Sequence, residues 1–233
     1  MDISSLKKQK DFFNSKKNQY QLNAILNPPL HTREEINEVI RRTTNIFKKN
    51  EIIDFGAGSG RLTIPLLKMG YKVIAVDIST ESLKNLQKLS RKLKLQSIQT
   101  ERILPKKMVN LIVGTDILHH VELSIYLPKL QKMLNRGGKI VFSEPGGLNP
   151  SWYIYLPLFI GWEVERGIVN STYFNLQQKL TDSGFSKINI QGLGLFPRPF
   201  FNWFPLFSHI NDWLGNLPLL KQFAYRYIIE AYK

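Results

Sequence analysis

Three glycines at alternate positions, Gly56, Gly58 and Gly60, follow the run Glu51-Ile-Ile-Asp-Phe and are followed at once by Arg61. A short apolar run ending in alternate glycines is a strand giving way to a helix, through a turn where bare backbone can approach a ligand closely. No Gly-Lys-Ser/Thr follows, so this is not a phosphate loop, and the spacing is GxGxG instead of the GxGxxG of dinucleotide sites. Asp77 ends the next apolar run, 17 residues beyond Gly60. A carboxylate at that place can accept hydrogen bonds from both hydroxyls of a ribose. Glycines alone would serve a tight turn; glycines paired with Asp77 point to a ribose-bearing ligand.

A second group with chemical capacity lies further on. His119 and His120 follow the apolar run Val109–Thr115, with Glu122 beside them and Glu144 at the end of the next run. A histidine titrating near neutrality suits removal of an acceptor's proton. Either histidine could instead cap or pack beneath its loop, and Glu144 could fix that loop. His31 and His209 complete the histidines, none spaced as HExxH, and cysteine is absent. Thiol nucleophiles, disulfides and cysteine-held metals are excluded, and no metal site is expected.

The elements that must hold these groups recur rhythmically. Ile52–Phe55, Lys72–Asp77, Gln96–Thr100, Val109–Thr115 and Lys139–Ser143 read as strands; Leu62–Met69, Ser82–Leu93 and Tyr126–Leu134 read as helices between them. Strands apolar on both faces and alternating with helices predict a parallel, doubly wound α/β sheet. Gly70 closes the first helix, Ser79 caps the second and Gly137-Gly138 stops the third. An earlier helix over Arg33–Phe47 places Ile36, Val39, Ile40, Thr43 and Phe47 on one face, with Thr32 at its start. Later, Asn175–Leu180 followed by Gly184 gives a helix, and Lys187–Gly192 and Tyr225–Tyr232 give strands, the last antiparallel.

As a set, EIIDFGAGSGR (51–61), VIAVDIS (73–79), NLIVGTDILHHVE (110–122) and GGKIVFSEPGG (137–147) resemble the class I S-adenosylmethionine-dependent methyltransferases that act on small molecules. The resemblance implies a Rossmann-like fold with S-adenosylmethionine as cofactor. It implies that Gly56, Gly58 and Gly60 surround the cofactor's methionine part, that Asp54 orients their loop, and that Asp77 holds the ribose with Ile78 beside it. Thr115 and Asp116 would lie by the methyl donor and the substrate. The family's adenine-binding aspartate after the third strand is replaced by Gln99-Thr100-Glu101-Arg102, where Glu101 is the nearest substitute. His119, His120 and Glu144 become the candidate proton-transfer groups for a hydroxyl acceptor.

With 43% apolar and 21% charged residues over 233, the chain has ordinary globular usage, which disfavours fibrous, disordered and multi-span membrane classes. A lead-in of residues 1–32 precedes one domain over 33–233, in which 148–220 forms lid or insert elements. The polar start MDISSLKKQKDFF lacks a secretory apolar core, so a cytoplasmic location is expected. The net charge is +14, most of it in residues 1–110, which hold 21 basic and 10 acidic residues. Such an excess suits anionic lipid, nucleic acid or an acidic substrate, or is a solvated surface. Within 195–220, seven large aromatics from Phe196 to Trp213 predict a lid over the substrate pocket, a peripheral membrane contact or a platform on which nucleic-acid bases stack. The expected function is methyl transfer to a small-molecule or lipid-linked acceptor, on oxygen. An RNA methyltransferase and a non-catalytic cofactor-binding partner protein are the alternatives.

Overall fold

A computed structural model describes residues 11–12, 14–15, 22–43, 51–96, 98–159 and 161–233. In chain order it contains α1 (Leu22–Leu26), α2 (Leu30–Thr43), β1 (Glu51–Phe55), α3 (Thr63–Lys68), β2 (Lys72–Val76), α4 (Thr80–Lys92), β3 (Gln99–Glu101), β4 (Val109–Thr115), α5 (Leu123–Met133) and β5 (Leu134–Pro145). Then come α6 (Pro150–Phe159), α7 (Trp162–Glu165), α8 (Tyr173–Asp182), β6 (Ser186–Leu193), α9 (Pro205–Gly215) and β7 (Arg226–Tyr232).

The seven strands form one sheet in the order β3-β2-β1-β4-β5-β7-β6, parallel except for β7, which runs antiparallel to both β5 and β6. Alternate strand residues feed opposite faces, as the pleat requires. Ile53, Phe55, Ile74, Val76, Ile112, Ile140 and Phe142 join Leu127 and Leu130 of α5 and Leu176 and Leu180 of α8 in one core layer. Ile52, Val73, Ala75, Leu111, Val113 and Val141 join α2, α3 and α4 in the other. Both faces are therefore covered, and this is why the runs are continuously apolar. Chain order reverses between β1 and β4, so their carboxyl ends open the crevice where such sheets bind ligands.

Several boundaries differ from the sequence reading. The first long helix starts at Leu30, because the Pro29 carbonyl already accepts the Arg33 N–H at 2.9 Å, and Thr32 lies inside it. Phe47 falls outside the described residues. β3 is shorter than expected because the Gln96 side chain turns back to the Tyr71 carbonyl. Gly137-Gly138 does not stop α5, which ends at Met133; Leu134 pairs with Val109 and draws both glycines into β5. Gly70 does close α3 with φ +87°, and Ser79 caps α4 by accepting the Ser82 N–H.

The stretch between β5 and α8 forms α6 and α7. The 195–220 insert forms a short 3-10 turn, Arg198–Phe201, and then α9. Among the described residues no helix is long and apolar enough to cross a membrane.

Candidate active site

The carboxyl ends of β1 and β2 build one wall of a cavity of about 710 Å³. Gly56, Ala57, Gly58 and Ser59 line it together with Asp77 and Ile78. Gly58 has φ +51° and nothing within 4 Å of where a Cβ would stand, so its backbone faces open space. Its N–H donates to Asp77 Oδ2 at 2.7 Å, and the Ser79 N–H donates to Oδ1 at 2.7 Å. Burial raises the Asp77 pKa and these two N–H groups oppose the rise. The carboxylate is thus anchored on one side and presents its remaining lone pairs to the cavity.

Two loop residues act from behind this wall. Gly60, at φ +102°, does not line the cavity: a Cβ there would lie 2.5 Å from Leu86 Cδ1, so glycine is needed for packing on α4. Asp54 is buried beneath the loop, where its Oδ2 accepts from Thr63 Oγ1 at 2.5 Å and its Oδ1 has no partner. Burial above all pushes its carboxyl up to about 7.

At the end of β4, Thr115 and Asp116 line the cavity. Asp116 sits at φ +54°, a conformation that costs a non-glycine residue on the order of 1–3 kcal/mol and persists only where surroundings impose it. The surroundings are two guanidinium groups. Arg61, from the turn after β1, and Arg226, from the start of β7, both donate to the Asp116 carboxylate. Arg226 also pairs with Glu35 of α2 at 2.9 Å, and Ser143 Oγ donates to Glu35 at 2.7 Å. Burial alone would raise the Asp116 pKa, but Arg226 and Arg61 outweigh it and hold the group well below the usual carboxylate range.

His119 and His120 follow on a 3-10 turn, Leu118–His120, their rings 4.0 Å apart. Glu144, fully buried, accepts the N–H groups of Ile117 and Leu118 at 2.8 Å each and that of His119 at 3.3 Å. Its second oxygen lies 2.6 Å from His119 Nδ1, while Glu165 of α7 lies 2.9 Å from Nε2. Burial opposes charge on this imidazole, yet the two carboxylates prevail and push its pKa up to about 10. His119 is therefore an imidazolium with both nitrogens engaged. Burial, helped by that neighbouring cation, pushes His120 down to about 3 and keeps it neutral. Its Nε2 is 3.7 Å from Glu165. The donor atoms of His119, His120 and Glu165 lie within 4.8 Å of one another, a spacing at which a metal ion could be held.

The fold thus gathers Gly56, Gly58, Asp77, Ile78, Thr115, Asp116, His119 and His120 around one cavity. Glu101 is not brought there; it accepts from Gln99 Nε2 at 3.0 Å beside β3, and Arg102, Ile103 and Leu104 line the wall instead. Glu144 acts on the loop, not the cavity. Arg61, Glu165 and Arg226 were not singled out from the sequence. On the far wall, Trp152, Tyr155, Leu156 and Ile168 come from the 148–220 stretch read as lid or insert elements and Tyr225 from beyond it, with Trp152 stacked on Tyr225 at 4.4 Å and bonded through Nε1 to its carbonyl at 2.9 Å.

S-Adenosylmethionine fits these residues on two counts. The open space at Gly58 admits a ligand against bare backbone, and the anchored Asp77 carboxylate aims into the same space. The volume also lies within the roughly 300–1,000 Å³ of small-molecule sites.

Residues 53–142 match the model of a methyltransferase domain. The chain is 23% identical over 172 residues to the ubiquinone biosynthesis O-methyltransferase of Rickettsia canadensis, covering 69% of this chain and 72% of that protein. It is 25% identical over 127 residues to the protein of the same name from Bradyrhizobium diazoefficiens, covering 52% of this chain and about half of that protein's length, 49%. Among solved structures, magnesium protoporphyrin IX methyltransferase of Synechocystis with bound S-adenosylhomocysteine superposes with a TM-score of 0.61 at 18% identity, covering 98% of this chain and 99% of that one. Glycine turn, strand order and the matched region lead to one assignment: residues 53–142 are a methyltransferase domain, set in the sheet shared by the S-adenosylmethionine-dependent methyltransferases the chain superposes on.

Proposed function

We propose that this protein transfers the methyl group of S-adenosylmethionine to an oxygen of a small or lipid-linked, largely apolar acceptor. The observation that carries the reading is the division of the cavity: Gly56, Gly58 and Asp77 on one wall, Trp152, Tyr155, Leu156 and Tyr225 on the other, with Asp116 and the histidines between. The cofactor, when bound, supplies a methyl group already activated on a sulfonium, so alignment is the protein's main task. Asp77 holds ribose hydroxyls, the Gly56–Gly58 backbone meets the methionine part, and Ile78 with Ile103 flanks the base. Arg61 and Arg226 fix Asp116 beside the place of transfer. The aromatic wall excludes water and orients an apolar acceptor.

Orienting an acceptor hydroxyl, by accepting its hydrogen bond on a neutral ring, falls to His120. His119 has both nitrogens committed to Glu144 and Glu165, whereas His120 lines the cavity as a neutral ring. The printed names of both curated relatives, O-methyltransferases of ubiquinone biosynthesis, support oxygen as the acceptor atom.

Calorimetric titration with S-adenosylmethionine and S-adenosylhomocysteine, then transfer of a labelled methyl group to phenols with and without an apolar tail, tests the reading. Micromolar binding with label on the tailed phenol is expected. Failure to bind either compound, or label appearing on RNA and on no phenol, overturns it.

A further inference from the structure

The helix α9 is amphipathic with its faces reversed. Three of its polar side chains point into the protein, and His209 is exposed: Ser208 Oγ donates to Glu34 at 3.1 Å, Asn211 accepts the N–H groups of Leu195 and Phe196 at 3.0 and 2.8 Å, and Asp212 binds Arg198 Nε at 2.9 Å. Its apolar side chains point out, with Leu206 70%, Ile210 45% and Trp213 63% exposed on one stripe at helical spacing. Arg198 locks this orientation. Only 1% exposed, it joins Asp212 of α9 to Glu34 of α2 and to the His31 carbonyl at 2.7 Å. The outward apolar stripe is thus held in place by buried charge and cannot roll inward without breaking those pairs.

Neighbouring residues extend the feature. In the turn before α9, Phe200 is 73% and Trp203 86% exposed; on α6, Phe159 is 71% exposed. Both segments flank the same cavity, α6 through Tyr155 and the turn through Pro199. Soluble monomers rarely leave contiguous apolar patches beyond roughly 300–600 Å². Here six large apolar side chains are exposed on three segments, two of which also line the cavity.

We propose that the outward stripe of α9, the Phe200–Trp203 turn and the exposed side of α6 form a docking surface for an anionic lipid bilayer. Charge selects lipid over a second protein. Residues 148–160 and 199–211 contain no Asp, Glu, Lys or Arg, so entering the headgroup region desolvates no formal charge, while the whole chain carries +14. Lys7, Lys8, Lys10, Lys16 and Lys17 precede in sequence the helix α2 whose Glu34 grips the insert. Tryptophan belongs at such an interface because its ring is apolar and its N–H is not. Delivery of a lipid-linked acceptor directly to the aromatic wall follows, and that consequence rests on the methyl-transfer reading; the docking itself does not.

The test is co-sedimentation of the full chain with phosphatidylcholine vesicles, with and without phosphatidylglycerol, alongside Trp203→Glu and the double variant Leu206→Glu/Ile210→Glu. S-Adenosylhomocysteine titration of each variant reports on the fold and on the cofactor site separately. The native protein should pellet with the anionic vesicles and less so at high salt, and each variant should bind about tenfold more weakly or worse, with cofactor affinity unchanged. Native protein left in the supernatant, or variants that pellet as well as native, overturns the proposal. So does a concentration-dependent dimer that Leu206→Glu/Ile210→Glu dissociates while the native chain ignores vesicles.

Discussion

Replacing Asp77 by Asn changes one oxygen to an amide nitrogen and removes a charge, at a side chain whose two oxygens each accept a backbone N–H at 2.7 Å. Either orientation of the amide sets Nδ2 against the N–H of Gly58 or of Ser79, donor against donor. Leaving one of these buried donors unsatisfied costs about 1–3 kcal/mol, which is the expected loss of stability. The cofactor loses more, because charge-assisted hydrogen bonds to ribose hydroxyls contribute about 1.5–3 kcal/mol each, or roughly ten- to a hundredfold in dissociation constant apiece. Burial raises the Asp77 pKa above its ordinary value, so the native protein should also lose cofactor affinity on acidification before ordinary carboxylates protonate. Titration of S-adenosylhomocysteine into both proteins across pH, with urea unfolding of each, measures all three effects. Native affinity and native stability in Asp77→Asn together would refute the assignment of this carboxylate.

Four other substitutions separate the remaining roles. His120→Gln should lower kcat about tenfold, the value of one hydrogen bond to the acceptor, with cofactor affinity intact, whereas His119→Gln should destabilise the fold by about 3–5 kcal/mol by leaving Glu144 and Glu165 without their shared cation. Kinetics and urea unfolding on the same preparations distinguish the two, and the reverse pattern would exchange the roles. Asp54 binds its proton more tightly when folded, with a pKa of about 7, so its contribution is complete below its unfolded value near 4 and is lost as pH rises through about 7. Asp54→Asn should flatten that decline in a series of melting temperatures from acid to neutral pH; a slope equal to the native one would contradict the assignment. Arg198→Met should cost about 3 kcal/mol in urea unfolding, since Glu34 and Asp212 lose their common partner, and a neutral outcome would mean that α9 is held by other contacts.

The cavity wall to which the cofactor is assigned was legible because it is local. Gly56, Gly58 and Asp77 are placed by one strand-turn-helix unit and the strand beside it, and each residue type carries its own physical reason. The sheet was legible for the same cause: continuous β-branched runs are what two covered faces require, and the two core layers sort alternate residues as the pleat demands. Gly60 was placed by pattern in the ligand's path, but the pattern does not distinguish a glycine that faces ligand from one that faces Leu86. Gly137-Gly138 misled because a glycine pair reads as a helix stop, while the pairing of Leu134 with Val109 decides where the strand begins. Glu101 was selected as the nearest acid to a familiar position, and its direction on a three-residue strand is not encoded in that proximity.

What stayed hidden was assembled across long separations. Arg226 meets Asp116 across 110 residues, and it does so because β7 enters the sheet antiparallel between β5 and β6, a choice of partner that no local pattern specifies. Glu165 reaches His119 across 46 residues, and the approach depends on Gly167, where a Cβ would collide with the His119 carbonyl oxygen. The second contact reverses a sequence-based inference: a histidine following the fourth strand reads as a base until two carboxylates are seen to engage both its nitrogens. In a methyltransferase this matters less for rate than for placement, since the donor is already activated. The buried charges around Asp116 and His119 then serve chiefly to fix a strained turn, at φ +54°, against the wall where acceptor and donor must align.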